Sequence, residues 1–268
     1  MPESPEVQAL VDFLAERVIG RRIRAFEVLD YRVLKSRPAA QLTGERINAV
    51  LRSGKYIEFD CGDDHLVCSL GRHGWVIWQP QQPAAPDPDA VARLTLDDGA
   101  GFDLVDRGDF RSAALWTVAD ALDVPGVKKL GTDPADPTFT RADVARAVHG
   151  RRKQLKAVLQ EQETFAGIGN AYSDEILFAA RLPPTRLAST LSDAEIDRLF
   201  EAMRGIIRGA IADRRGLDPA DMKAAKTAAM RVHGRGGEPC PEGNGTIVDI
   251  AFAGTTAQYC PACQDEPA

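Results

Sequence analysis

The chain has 268 residues, 44% of them hydrophobic and 27% charged, enough to bury one large core or two medium ones. Its 23 glycines follow no period and its 5 cysteines are too few for a disulfide scaffold, which excludes collagen-like and disulfide-dense classes. No apolar run approaches the ~18 residues that span a bilayer, and the opening Met1-Pro2-Glu3-Ser4-Pro5-Glu6 is no signal peptide, so reduced thiols in a cytosol are expected.

Ser4 is placed to cap a first helix with Pro5 at its first helical position. Val7, Leu10, Val11, Leu14 and Val18 then share one face, and Gly20 ends it. From Arg22 to Trp116 the pattern turns strand-like. Short β-rich runs at 46–51, 56–59, 66–70 and 92–96 are separated by Gly- and Asp-rich turns, which predicts an antiparallel sandwich. Residues 79–88 form a proline-broken loop, and 119–138, with Pro125, Pro134 and Pro137, read as a linker. Helical periodicity covers 140–148, 152–162, 171–180 and 193–211, and 216–230 reads as alanine-rich helix. The tail returns to short strand-like runs around cysteines. The expected fold is α+β: a sandwich flanked by helices over 1–118, the linker, a helical domain over 139–232 and a hairpin module over 233–268.

The net charge of −6 argues against a generic basic nucleic-acid binder, but its distribution is uneven. Residues 1–136 carry 16 basic against 22 acidic groups, 137–240 carry 17 against 13, and 241–268 carry none against 4. The middle segment is therefore the expected phosphate-facing surface.

Removal of Met1 would leave Pro2 with a free secondary amine. An α-amino group has a reference pKa of about 7.7–8.0, so part of it is neutral at pH 7 and able to attack a sugar C1′. Glu3 and Glu6 lie within one turn of it and could move protons or hold the sugar, although an ordinary capped helix explains the same residues. Gly167-Ile168-Gly169-Asn170 permits a tight turn whose following helix could cradle phosphate, with Arg151, Arg152, Lys153 and Lys156 adding charge. A plain helix–helix turn is the other meaning. Cys240-Pro-Glu-Gly243 and Cys260-Pro-Ala-Cys263 would make a four-cysteine zinc hairpin if residue 243 were cysteine. Cys61 and Cys68 read as core residues, as do Trp75, Trp78 and Trp116.

The opening heptad, Ser53-Gly54-Lys55-Tyr56, Gly167–Asn170 and the Cys240–Cys263 module occur in one order at fitting distances. Together they resemble the formamidopyrimidine-DNA glycosylase and endonuclease VIII family over nearly the whole chain. The resemblance implies a helix–two-turn–helix domain and a bifunctional DNA glycosylase and abasic-site lyase of base excision repair. A damaged nucleotide would flip into the cleft between the β and helical domains. Pro2 would be the Schiff-base nucleophile, Glu3 the proton donor and acceptor, with Glu6 and Lys55 beside them, and β- or β,δ-elimination would cut the strand. Lys55, Lys156 and Asn170 would contact DNA phosphates, and no redox cofactor is needed. The implied partner is DNA carrying a damaged base or abasic site, bound by a monomeric, cytoplasmic, nucleoid-associated protein.

Departures from the family pattern bear on function. Gly243 leaves Cys240, Cys260 and Cys263 without a fourth ligand unless His233, Glu242 or water supplies one, so zinc is expected to be substoichiometric. Thr255 stands at the position of the finger arginine and brings no charge. Arg72 stands for a methionine and Asp109-Phe110 for an arginine–phenylalanine pair. Phe110 is the expected wedge into the base stack, and Arg72 the expected reader of the orphaned partner base. The segment 216–230 lacks the usual glycine-rich loop, which weakens the case for an oxidised purine. These departures favour an alternative, a catalytically impaired lesion- or structure-binding protein; the retained Pro2, Glu3, Glu6, Lys55 and Asn170 oppose it.

Overall fold

The apolar stripe from Val7 to Val18 folds as a helix, α1 (Ser4–Val18), in the computed structural model, which describes residues 1–36, 42–243 and 245–264. Its cap is Glu3 rather than Ser4. The Glu3 side chain accepts the Glu6 backbone N–H and the Glu6 side chain accepts that of Glu3, a reciprocal box that Ser4, already helical, cannot form.

The chain divides into two compact units, Met1–Lys129 with Arg214–Lys223, and Leu130–Asp213 with Ala224–Ala268. In the first unit the strands are β1 (Ile23–Val28), β2 (Ala49–Ser53), β3 (Tyr56–Asp60), β4 (His65–Ser69), β5 (Gly74–Gln79), β6 (Ala90–Leu96), β7 (Gly101–Asp106) and β8 (Ala114–Val118). They form two four-stranded antiparallel sheets, ordered β1-β6-β7-β5 and β2-β3-β4-β8. Phe59 of β3 stacks on Phe102 of β7 at 5.4 Å, so the sheets meet face to face, and Leu10 and Leu14 of α1 join the same core. Arg93 and Asp103 are both buried in this unit, paired at 2.6 Å and 3.0 Å in a fork that lets charged residues sit inside strands.

The expected linker 119–138 is structured at its start. A 3-10 turn (Ala121–Asp123) and a helical turn, α2 (Pro125–Lys128), pack Val124 and Val127 on Val67. Apolar residues spaced for burial outweighed the prolines there.

The second unit holds α3 (Arg141–Val148), α4 (Leu155–Gln160), α5 (Asn170–Ala180) and most of α6 (Asp193–Arg214). Leu155, Leu159, Phe165, Ile168, Tyr172, Ile176, Leu199 and Met203 lie in one buried cluster. The helix expected over 152–162 is cut to α4 because the preceding backbone bonds elsewhere: Ser189 and Ala188 donate to Arg151 and Lys153 carbonyls, and Leu155 donates to Arg186. The segment 216–230 is helical only over α7 (Met222–Ala229). Ahead of it, Leu217 and Met222 pack in the first unit's core and the Pro219 carbonyl accepts the Trp75 indole N–H at 3.0 Å. The chain then closes the second unit with a hairpin of β9 (Val248–Phe252) and β10 (Thr255–Tyr259), followed by α8 (Pro261–Gln264).

Candidate functional site

The amino-terminal end of α1 concentrates buried carboxylates. Pro2 is buried while Met1 is 54% exposed, and Glu3 and Glu6 are each 2% exposed. With Met1 attached the Pro2 nitrogen is an amide and no nucleophile; cleavage of one exposed residue makes it an amine. Glu6 Oε2 accepts the Glu3 backbone N–H at 3.0 Å, and Oε1 faces Arg214 Nε at 2.9 Å, with both side chains 2% exposed. Glu6 is thus a clamp between Glu3 and Arg214. Arg214 escaped the sequence reading, since nothing local to it points to a carboxylate at the other end of the chain.

Lys55 lies half-buried in the β2–β3 turn after Gly54, whose φ is +59°. Elsewhere in this unit the turn carrying Arg72 and the loop carrying Phe110 are brought together. Arg72 donates its backbone N–H to Ser112 Oγ at 2.9 Å, and a side chain at Gly71 would strike the Ser112 carbonyl. Phe110 is 88% exposed at the tip of the β7–β8 loop. Asp106 organises that loop by accepting backbone N–H groups of Gly108, Ser112 and Ala113 at 3.0, 2.6 and 2.8 Å. Burial pushes the Asp106 carboxyl up, but these donors outweigh it and hold it below the usual carboxylate range.

In the second unit, Gly167 adopts φ +88° and its N–H donates to Gln162 Oε1 at 3.0 Å, while Gln162 Nε2 donates to the Ile168 carbonyl at 2.7 Å. Gln162, absent from the sequence reading, clasps the turn from both sides. Asn170 opens α5; its Nδ2 donates to the Thr256 carbonyl at 3.1 Å and its Oδ1 accepts Gln160 Nε2 at 3.0 Å. The side chain expected on phosphate therefore links the turn to the hairpin.

Lys156 differs from expectation. It is fully buried, donating to Asp174 Oδ1 at 2.6 Å, Ser173 Oγ at 2.9 Å and the Asn170 carbonyl at 3.1 Å. An apolar helix face and an oppositely charged partner drew it inward, so it holds the turn from beneath. Asp174 Oδ2 also contacts His233 Nδ1 at 2.7 Å, and Glu175 accepts the backbone N–H groups of Arg231, Val232 and His233. Arg151 and Lys153 are likewise engaged, both with Glu161. Burial would raise the Glu161 carboxyl, but Lys153, Arg151 and Thr164 pull it down to about 2. Thr255 is exposed at the start of β10, its hydroxyl donating to the Phe252 carbonyl at 2.9 Å.

Cys240, Cys260 and Cys263 place their Sγ atoms within 4.8 Å of one another, close enough to hold a metal ion. His233 is turned to Asp174 and Glu242 to Arg231, so neither completes the set expected of them. Among the described residues these three thiols are the donors grouped at the module, a set consistent with a metal site. Cys61 and Cys68 are buried in the sandwich, and burial pushes both thiols up to about 12.

Residues 1–113 match the formamidopyrimidine-DNA glycosylase N-terminal domain, and 130–220 match the H2TH domain of the same enzymes. A formamidopyrimidine-DNA glycosylase of Symbiobacterium thermophilum is 34% identical over the whole chain and 90% of its own length. That of Nocardia farcinica is 33% identical over the whole chain and 99% of its own length. The crystal structure of MutM (Fpg) from Thermus thermophilus superposes with a TM-score of 0.86 at 30% identity, covering all of both chains. Wild-type Lactococcus lactis Fpg, solved with DNA containing N7-benzyl-Fapy-dG, gives 0.90 at 25% identity, covering 99% of this chain and all of that one. No helix among the described residues is long and apolar enough to cross a membrane.

Proposed function

Since the chain belongs to the formamidopyrimidine-DNA glycosylase family, and is a DNA glycosylase of base excision repair with abasic-site lyase activity, we propose that Pro2 is its nucleophile and Glu3 its proton-transfer residue. The observation that carries this reading is the buried box at the head of α1, in which Glu6 and Arg214 hold Glu3 next to Pro2 in the chain.

After Met1 is removed, the Pro2 nitrogen attacks C1′ of the damaged nucleotide and the glycosidic bond breaks, the base leaving with the bonding pair. The Pro2 nitrogen then loses its N–H proton, and its lone pair forms the iminium as the C1′–O4′ bond breaks and the ring oxygen takes the electron pair. Glu3 delivers a proton to the opening sugar and later removes one, so its carboxyl alternates between acid and base. The iminium acidifies C2′–H, and loss of that proton expels the 3′ phosphate by β-elimination.

The DNA contacts follow from the residues that remain outward. Lys55 serves as a phosphate ligand, the opening of α5 as an amide cradle for a second phosphate, and Phe110 as the wedge that fills the stack while Arg72 reads the orphaned base. Lys156 supports the cradle from below. The protein acts as a cytoplasmic monomer on DNA that carries a damaged base or an abasic site.

Borohydride trapping on an abasic-site duplex tests the nucleophile. The native chain should cross-link. Pro2→Gly, which keeps a primary amine, should cross-link more slowly, and an extension that blocks residue 2 should abolish trapping. Undiminished trapping of the blocked protein would overturn Pro2 and send the search to Lys55.

A further inference from the structure

Lys55 rises from a two-residue loop: Ser53 of β2 pairs with Tyr56 of β3, and Gly54 takes the positive φ that the first loop position requires. The soft point of such a loop is its central peptide, here the one joining Gly54 to Lys55. Rotating that plane converts one turn type into another and swings the side chain that follows. In this chain the plane is held. Arg52 Nη1 donates to the Gly54 carbonyl at 2.9 Å, while Arg52 Nε donates to Gln8 Oε1 of α1 at 2.8 Å. Gln8 is fixed in turn, its Nε2 donating to Asp12 Oδ1 at 2.8 Å one helical turn on. Strand alternation explains the reach: Arg52 stands two residues from Val50, on the face of β2 turned to the core that α1 shares. A guanidinium offers donors in fixed directions, so one side chain ties the loop to the helix.

We infer that Arg52 is a positioning residue for DNA binding, anchored by Gln8: the Gln8–Arg52–Gly54 strut sets where the Lys55 ammonium stands relative to Pro2 and Glu3. The inference rests on the reading of Lys55 as a phosphate ligand. Gln8 lies about 6 Å along the axis from Ser4, the first residue of α1, so one rigid helix carries both the proposed reacting head and the strut. A phosphate gripped by Lys55 is thereby kept in register with the amine that attacks the damaged nucleotide. The lysine alone does not give this, because its four-carbon stem is flexible and the loop peptide beneath it is free to turn unless something holds it.

The test is a set of double-mutant cycles in the full chain. Affinity is read on a duplex with a reduced abasic site, which binds without forming the iminium, and is followed against salt. Lys55→Ala should weaken binding by about fivefold to tenfold and lower the salt slope by about one unit. Gln8→Leu, which removes no charge, should weaken it by about threefold or more, and Arg52→Met by about as much as Lys55→Ala. In the Lys55→Ala background each of these two should change affinity by less than about twofold, because the side chain they position is gone. Arg52→Lys should fare no better than Arg52→Met, since an ammonium does not reproduce the fork. Losses that add in full to that of Lys55→Ala would overturn the inference, and so would native affinity in Arg52→Lys. A slope that falls by about two units in the Arg52→Met, Lys55→Ala double variant would also overturn it, by putting Arg52 itself on a phosphate. Lys55→Ala with native affinity and native slope would instead remove the reading of Lys55 beneath the inference. Should an Arg52 variant unfold, Gln8→Leu, on a half-buried helix face, decides alone.

Discussion

Two buried ion pairs brace the heads of two helices, and they do so in opposite ways. At α1 the carboxylate of Glu6 is local and its cation, Arg214, comes from the far end of the chain. At α5 the carboxylate of Asp174 is local and its cation, Lys156, comes from the helix just before. In the first, the pair holds the backbone of the residue proposed to move protons. In the second, it holds the carbonyl of the turn proposed to seat a phosphate. Buried pairs of this kind add little net stability, yet breaking one strands a charge. What they supply here is placement: of the proposed chemistry at one helix end and of the proposed phosphate seat at the other.

The largest effect should come from breaking either pair. Arg214→Met strands Glu6 and Asp174→Asn strands Lys156, each costing about 3–5 kcal/mol in denaturant unfolding. The two should part in function: borohydride trapping at saturating DNA falls for Arg214→Met, whereas Asp174→Asn weakens binding and leaves trapping at saturation intact. Equal loss of trapping in both would erase the distinction. A finer probe is the salt dependence of DNA affinity. Lys55→Ala should lower the slope of log K against log salt by about one unit, and Lys156→Met should leave it unchanged. A drop of one unit for Lys156→Met would place its ammonium on phosphate in the complex. The smallest effect is electrostatic. With a folded-state value of about 2 against an ordinary value of 4.5, Glu161 contributes stability that is fully present above pH 4.5 and is lost as pH falls toward 2. Glu161→Gln should therefore be about 1 kcal/mol less stable near neutral pH, the partial exposure screening the rest, and should converge with the native chain near pH 2.

The α1 stripe, the glycine turn and the cysteine module are legible because their signals are local. The runs at 46–51, 56–59, 66–70 and 92–96 correspond to β2, β3, β4 and β6 for the same reason. β1 and β7 are harder to see, since Arg24, Glu27, Asp103 and Asp106 interrupt their apolar pattern; Asp103 is buried only because Arg93 is there to meet it. Partnership likewise decides the site. Lys156 reads as a surface cation until Asp174 is known to face it, and Glu6 reads as one of two carboxylates near the amine, with nothing to show that Arg214 meets it. Gln162 carries no signal at all, because an uncharged amide that bonds backbone has no sequence pattern. Composition records a residue's chemistry, not which neighbour consumes it.

The return of Arg214–Lys223 to the first unit has a consequence for biosynthesis. Glu6 leaves the ribosome early, but its counter-charge is translated roughly 10–40 s later at about 5–20 residues per second. Until then the nascent sandwich carries an unneutralised acid near its start and lacks Leu217 and Met222 from its core. The proposed reactive end at the head of α1 is therefore completed only when that last segment of the unit is made. A chain released before residue 214 would carry Pro2, the proposed nucleophile, at the head of a helix that lacks its Arg214 partner.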